Sequence, residues 1–142
     1  MKYAHGNLWN FHTLGPVCIT TNGIIKKDGE LVMGAGIALQ AKQRFPDVPG
    51  TLADLVNKHG NRAFYLSIPN LFSFPTKHDW KDKSDINLIA QSCHDVVDIT
   101  NRVGFNQVYL PRPGCANGQL EWLEVFTVIS QILDDRFVVV TL

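Results

Sequence analysis

Two short glycine-bearing segments hold the residues best suited to chemistry. The first runs Val32, Met33, Gly34, Ala35, Gly36, Ile37, Ala38, Leu39, Gln40; the second runs from Leu110 through Pro111, Arg112, Pro113, Gly114, Cys115, Ala116, Asn117, Gly118 and Gln119 to Trp122. Each leads from a loop into an amphipathic stretch, so backbone N–H groups converge where a helix N-terminus concentrates partial positive charge. That arrangement binds anions without a basic side chain, and two such loops in 142 residues point to a diphosphate held between them. The common nucleotide fingerprints are absent. Gly34 and Gly36 begin a Gly-x-Gly, but Leu39 stands where the third glycine of the dinucleotide motif belongs, and no Gly-Lys-Ser/Thr follows either loop. Glycine after a strand is also ordinary turn chemistry, so either loop alone leaves that reading open.

Other polar residues carry two readings each. Lys77 follows Pro75 and is flanked by His78, Asp79, Trp80, Lys81 and Lys83, which by themselves describe a solvated basic loop. Cys115 lies where a helix start stabilises a thiolate, yet no histidine adjoins it, and a packed or loop cysteine is the simpler account. Asn22 precedes Gly23, a strong turn pair. Glu121 at a helix start complements the dipole. The five histidines show no metal-ligand spacing, and no metal is expected.

The elements that must position these residues alternate. Val17 to Thr21, Ala63 to Ile68, Gln107 to Leu110 and Phe137 to Leu142 read as buried strands, and Met1 to Phe11 adds another. Ile86, Ile89, Cys93, Val96, Val97 and Val103 form a helical stripe with Ser84 as its N-cap; Leu120, Leu123, Phe126, Ile129 and Leu133 form a second. Ile37, Ala38, Ala41 and Phe45 make a helix stopped by Pro46, and a shorter one falls between Gly50 and Asn57. Residues 23–31 read as an exposed loop. This alternation predicts an α/β sheet covered on both faces, in one domain spanning residues 1–142. Thirteen basic and thirteen acidic residues cancel, so a nucleic acid or membrane partner must be engaged locally. Three cysteines, with neither a leader nor a membrane-length apolar run, predict a reduced cytoplasmic protein, with a monomer expected.

Four blocks resemble the macrodomain family, in the branch that contains the DarG antitoxin and the human terminal ADP-ribose protein glycohydrolase. They are Gly6-Asn7-Leu8; Ile19 to Asn22 with Met33 to Gln40; Phe74-Pro75-Thr76-Lys77-His78-Asp79-Trp80; and Pro111 to Trp122. The resemblance covers nearly the whole chain and implies a three-layer α/β/α macrodomain with a central mixed sheet. It implies adenine near Asn7 and Leu8, and a diphosphate between Met33-Gly34-Ala35-Gly36-Ile37 and Gly114-Cys115-Ala116-Asn117-Gly118. The distal ribose would lie near Asn22 and Lys77, with Trp80 over the substrate. Lys77 would attack or orient the anomeric carbon, its amine tuned by desolvation or by His78 or Lys81. One departure stands out: Gly118 replaces the aspartate that completes the reaction in the human relative. The implied function is an ADP-ribosyl hydrolase without cofactor, acting on thymine-linked ADP-ribose in DNA in the manner of DarG. Glutamate-linked protein, a reader without turnover and an ADP-ribose 1''-phosphate phosphatase are the alternatives.

Overall fold

The computed structural model describes residues 1–142. Its strands are β1 (Lys2–His5), β2 (Val17–Thr21), β3 (Tyr65–Leu66), β4 (Leu71–Pro75), β5 (Val108–Leu110) and β6 (Phe137–Thr141); its helices are α1 (Gly36–Arg44), α2 (Val48–His59), α3 (Ile86–Val103) and α4 (Trp122–Ile129), with a 3₁₀ turn at Leu8–Phe11. They form one sheet in the order β1-β6-β5-β2-β4-β3. All neighbours run parallel except β3, which lies antiparallel to β4 at the edge. The sheet is therefore mixed, and five strands direct their carboxyl ends to one side.

Period-2 alternation divides the core between two helical layers. Val17, Ile19, Leu71, Val138 and Val140 pack with Leu52 and Ala41 under α1, α2 and the 3₁₀ turn. Cys18, Phe72, Phe74, Phe137 and Val139 pack on the opposite face with Ile89, Val96, Val125 and Ile129 of α3 and α4. The result is the three-layer α/β/α arrangement expected from the sequence. No helix is long and apolar enough to cross a membrane.

Several local expectations are corrected. The run Ala63 to Ile68 is not a buried strand: only Tyr65–Leu66 pairs, and Ile68 is 89% exposed beyond it. The buried strand nearby is β4, which the sequence reading missed because Ser73 and Pro75 interrupt its apolar character. Both are accommodated, since Ser73 Oγ accepts from Phe64 N–H and Pro75 ends the strand opposite Thr21. Helix α4 is shorter than its stripe suggested. Leu120 and Leu133 are buried from flanking loops, Val125 and Ile129 form the inner face, and Leu123 is exposed. Helix α2 is longer than expected, opening at Val48 with Pro49 in its first turn. Within residues 23–31, an Ile25–Leu31 bridge closes the loop and buries Leu31.

The N-cap of α3 is Asp85, not Ser84. One carboxylate oxygen of Asp85 accepts from Asn87 N–H at 2.9 Å, and the other meets His78 Nε2 at 2.9 Å. Its N–H also donates to Thr76 O at 2.8 Å, so Asp85 closes the loop of residues 76–85 on itself. The His78 bond, and then the backbone N–H groups of Asn87 and Leu88, hold its pKa below the ordinary aspartate value. Stability from this group is present above the ordinary aspartate range and lost as pH falls through the lowered value. Asp85→Ala should cost about 1 kcal/mol, the usual loss for an N-cap. Urea midpoints should show that deficit at neutral pH and a smaller one in acid.

Candidate functional site

Strands β2 and β5 pair only at Val17 and Tyr109, and the chain turns opposite ways from them, toward β4 on one side and β6 on the other. Ligands of open α/β sheets bind at such a switch point, outside the carboxyl ends of the strands. A cleft of about 520 Å³ opens there. Its walls come from the end of β2 (Thr20, Thr21, Asn22), the first glycine loop (Val32 to Ala38), the loop after β4 (Thr76, Lys77, Trp80) and the second glycine loop (Pro111, Arg112, Gly114, Ala116 to Gly118). A second depression of about 510 Å³ lies at the β3 edge. Its buried charge, Asp95, is neutralised by Arg62 at 2.8 Å.

The two glycine loops face each other across the cleft. Gly36 has φ +56°, a left-handed conformation that favours glycine, and a β-carbon on it would stand 3.3 Å from Asn117 Nδ2. Gly114 has φ +78°. Asn22 holds the first loop from below: its Nδ2 donates to Val32 O at 2.9 Å and its Oδ1 accepts from Ile24 N–H at 3.0 Å. The second loop is held by the segment after Lys77, because Ser84 N–H donates to Gly118 O at 3.0 Å.

Lys77 spans both sides. Its Nζ donates to Asn117 O at 3.2 Å and to Trp80 O at 3.3 Å, which occupies two of its three N–H bonds. Its own carbonyl accepts from Asn61 Nδ2 at 3.0 Å, and the next carbonyl, of His78, accepts from Gly23 N–H at 3.1 Å. The cations expected to tune Lys77 face carboxylates instead: His78 meets Asp85 at 2.9 Å and Lys81 meets Asp79 at 3.8 Å.

Of the residues singled out in the sequence, the cleft brings together Asn22, Met33, Gly34, Ala35, Gly36, Ile37, Lys77, Trp80, Gly114, Ala116, Asn117 and Gly118. Asn7, Leu8 and Cys115 do not line it. Asn7 is exposed beyond β1 and caps the 3₁₀ turn by accepting from Trp9 N–H, while Leu8 is buried in the core. The Cys115 thiol points to Pro113 O at 3.6 Å; burial pushes its pKa up, against the opposing effect of Arg112. Sequence reasoning missed Thr20, Thr21, Thr76 and Arg112 on the cleft wall and Asn61 behind Lys77. Arg112 alone carried a signal, as a cation inside a loop chosen for anion chemistry. No three His, Cys, Asp or Glu side chains lie close enough to share a metal ion.

No protein-family model matches the chain. It is 31% identical over 112 residues to the DNA ADP-ribosyl glycohydrolase of Thermus aquaticus, a match covering 72% of this chain and 31% of that relative. The chain thus spans about a third of the length of that relative. Among solved structures it is similar to the macrodomain of Mycobacterium tuberculosis DarG, with TM-score 0.78, 27% identity and coverage of 99% of this chain and 95% of that one. It is also similar in fold to Thermosipho africanus DarTG in complex with ADP-ribose, with TM-score 0.81, 23% identity and coverage of 99% and 42%.

The contact at Gly118 generates a sharp expectation. A β-carbon there would overlap Ser84 Oγ and Gly114 O, whereas one on Gly34 would meet nothing. Gly118→Ala should therefore destabilise the fold by about 1–3 kcal/mol, the usual cost of overpacking, while Gly34→Ala stays within about 0.5 kcal/mol. Thermal unfolding of the two variants beside the parent makes the comparison.

Proposed function

This chain belongs to the macrodomain family, in its DarG branch, and from that premise we propose that it is a DNA ADP-ribosyl glycohydrolase. The observation that carries the reading is the cleft itself: two glycine loops set face to face, with a lysine amine bonded to the carbonyl of Asn117 in one of them. The diphosphate of ADP-ribose is cradled by backbone N–H groups of the Gly34 to Ile37 and Gly114 to Gly118 loops. Adenine extends beyond the cleft toward the carboxyl end of β1, where Asn7 is exposed, and the distal ribose sits by Asn22 and Lys77. Support comes from relatives: one named DNA ADP-ribosyl glycohydrolase, and a structural neighbour that holds ADP-ribose.

Lys77 is the catalytic residue of this reading. Cleaving the bond between ribose and base develops positive charge at the anomeric carbon while the departing base gathers electrons. An ammonium beside that carbon is repelled by the developing charge, so Lys77 helps either as a neutral amine that bonds to the carbon or as a donor that protonates the departing base. In both cases the carbonyls of Trp80 and Asn117 aim the amine, and the third N–H or the lone pair serves the substrate. The aspartate of the human relative has no counterpart, because Gly118 leaves no space for a side chain against Ser84 and Gly114. This favours the DNA-directed chemistry of DarG over removal of ADP-ribose from glutamate. The protein acts in the cytoplasm, as the antitoxin that reverses DNA ADP-ribosylation.

Two measurements test this. Free ADP-ribose should raise the melting temperature, since a ligand at 100 times its Kd adds about 2.7 kcal/mol of stability, and AMP should do so less. Lys77→Ala should lower turnover of an oligonucleotide carrying thymine-linked ADP-ribose by about 10²–10⁴-fold, the range for lost proton-transfer catalysis, with ADP-ribose affinity within a few-fold. Release from glutamate-linked protein with the DNA adduct untouched would leave only the hydrolase class. No turnover of either substrate by the parent would make it a reader.

A further inference from the structure

The cleft is lined by two charged side chains, Lys77 and Arg112, and by no carboxylate. That is unexpected in a chain whose charges cancel. The Nζ of Lys77 is occupied by two carbonyls. Arg112 makes no ion pair with any carboxylate; its guanidinium instead lies over the ring of Trp122, 4.7 Å from the centroid. Such stacking fixes the plane of the guanidinium and leaves its N–H edge free for an anion.

The position of Arg112 in its loop separates it from the diphosphate cradle. It stands between Pro111 and Pro113, neither of which has an N–H, so backbone donation begins in earnest only at Gly114. Arg112 is exposed at the cleft, where it offers a side-chain cation just upstream of the amides. Trp80, from the loop after β4, lines the same cleft and is 51% exposed. An exposed aromatic ring and an unpaired guanidinium around one cleft match what single-stranded nucleic acid requires, a platform for a base and a cation for its backbone.

We propose that Arg112, held by Trp122, binds a backbone phosphate of the nucleic acid beside the ADP-ribosylated base. The cradle amides then serve the diphosphate, and Arg112 serves the strand. This rests on the DNA-directed reading above and adds what that reading lacks, a permanent cation that distinguishes a modified strand from a modified nucleoside.

The test compares kcat/KM for a single-stranded oligonucleotide bearing thymine-linked ADP-ribose with that for the thymidine adduct alone, which has no flanking phosphate. The parent should prefer the oligonucleotide. Arg112→Gln should reduce that preference roughly ten-fold, through KM, as one charge-assisted hydrogen bond is lost, and should flatten the salt dependence of oligonucleotide binding by about 0.7 in log–log slope. Trp122→Leu, which keeps the cation but removes its support, should move the preference the same way by a smaller factor. Calorimetry with free ADP-ribose separates the two phosphate sources: a loss there as large as the loss on the oligonucleotide assigns Arg112 to the diphosphate and overturns the proposal. An unchanged preference in Arg112→Gln overturns it as well, as does a parent that treats strand and nucleoside alike. If the parent cleaves neither adduct, the DNA-directed reading fails first and the proposal with it.

Discussion

Ser84 and Gly118 meet with no room for a side chain between them, and much of the site depends on that contact. The N–H of Ser84 donates to Gly118 O at 3.0 Å, and the Ser84 hydroxyl fills the space that a β-carbon on Gly118 would need. Gly114 packs against the same serine, where a β-carbon would stand 3.2 Å from Ser84 Cβ. The loop that carries Lys77 and the loop that forms the second anion cradle are thereby fixed as one unit. Asp85, the next residue, ties the far end of the Lys77 loop to Thr76 O, and Asn61 and Gly23 hold its beginning through the carbonyls of Lys77 and His78. A lysine on a loop is ordinarily mobile. Here backbone bonds from several elements restrain its main chain, so little ordering remains to oppose substrate binding.

The same contact constrains what position 118 can hold. An aspartate at position 118 would require the loop to move away from Ser84, which would also move Asn117 O and with it a partner of the Lys77 amine. In this chain glycine at 118 thus helps to place Asn117 O for the Lys77 amine. The hydroxyl of Ser84 and the Oδ1 of Asn61 are both buried without a hydrogen-bond partner. Such groups are costly in a finished core, and they border the two loops that carry Lys77 and the second cradle.

Legibility from the sequence followed the range of the interactions. The glycine loops, α1 with its stop at Pro46, and the stripe of α3 were readable because positive φ, a missing N–H and a 3.6-residue period are written within a few neighbouring residues. Strand β4 was not, since Ser73 becomes acceptable inside a sheet only once Phe64, nine residues earlier, supplies its partner. The cap of α3 was read one residue early because Ser and Asp are equally good caps, and only the buried contact with Gly118 decides that Ser84 is used elsewhere. Leu123 fell on the α4 stripe by spacing yet faces outward, because the buried face runs through Val125 and Ile129 and Leu123 lies about half a turn from Val125. In the site, the residues named from the glycine loops, apart from Cys115, converge with Lys77 on one cleft. Asn61 and Arg112 escaped because one acts through the backbone of Lys77 and the other gains its meaning from Trp122, ten positions along the chain.

Charge is where whole-chain reading and site diverge most. Equal numbers of acidic and basic residues argue against a general attraction for polyanions. Four cations away from the cleft face carboxylates: Lys26 meets Asp28 and Glu30, Arg62 meets Asp95, Lys81 meets Asp79 and Arg136 meets Asp134. The cleft concentrates one sign of charge, with two cations on its wall and no acidic side chain. Paired charges produce fields that fall off quickly, whereas unpaired ones in a concave site with low-dielectric walls reach the ligand. A neutral protein can thus present a positive cleft, in which the backbone amides, Lys77 and Arg112 act together on an anion.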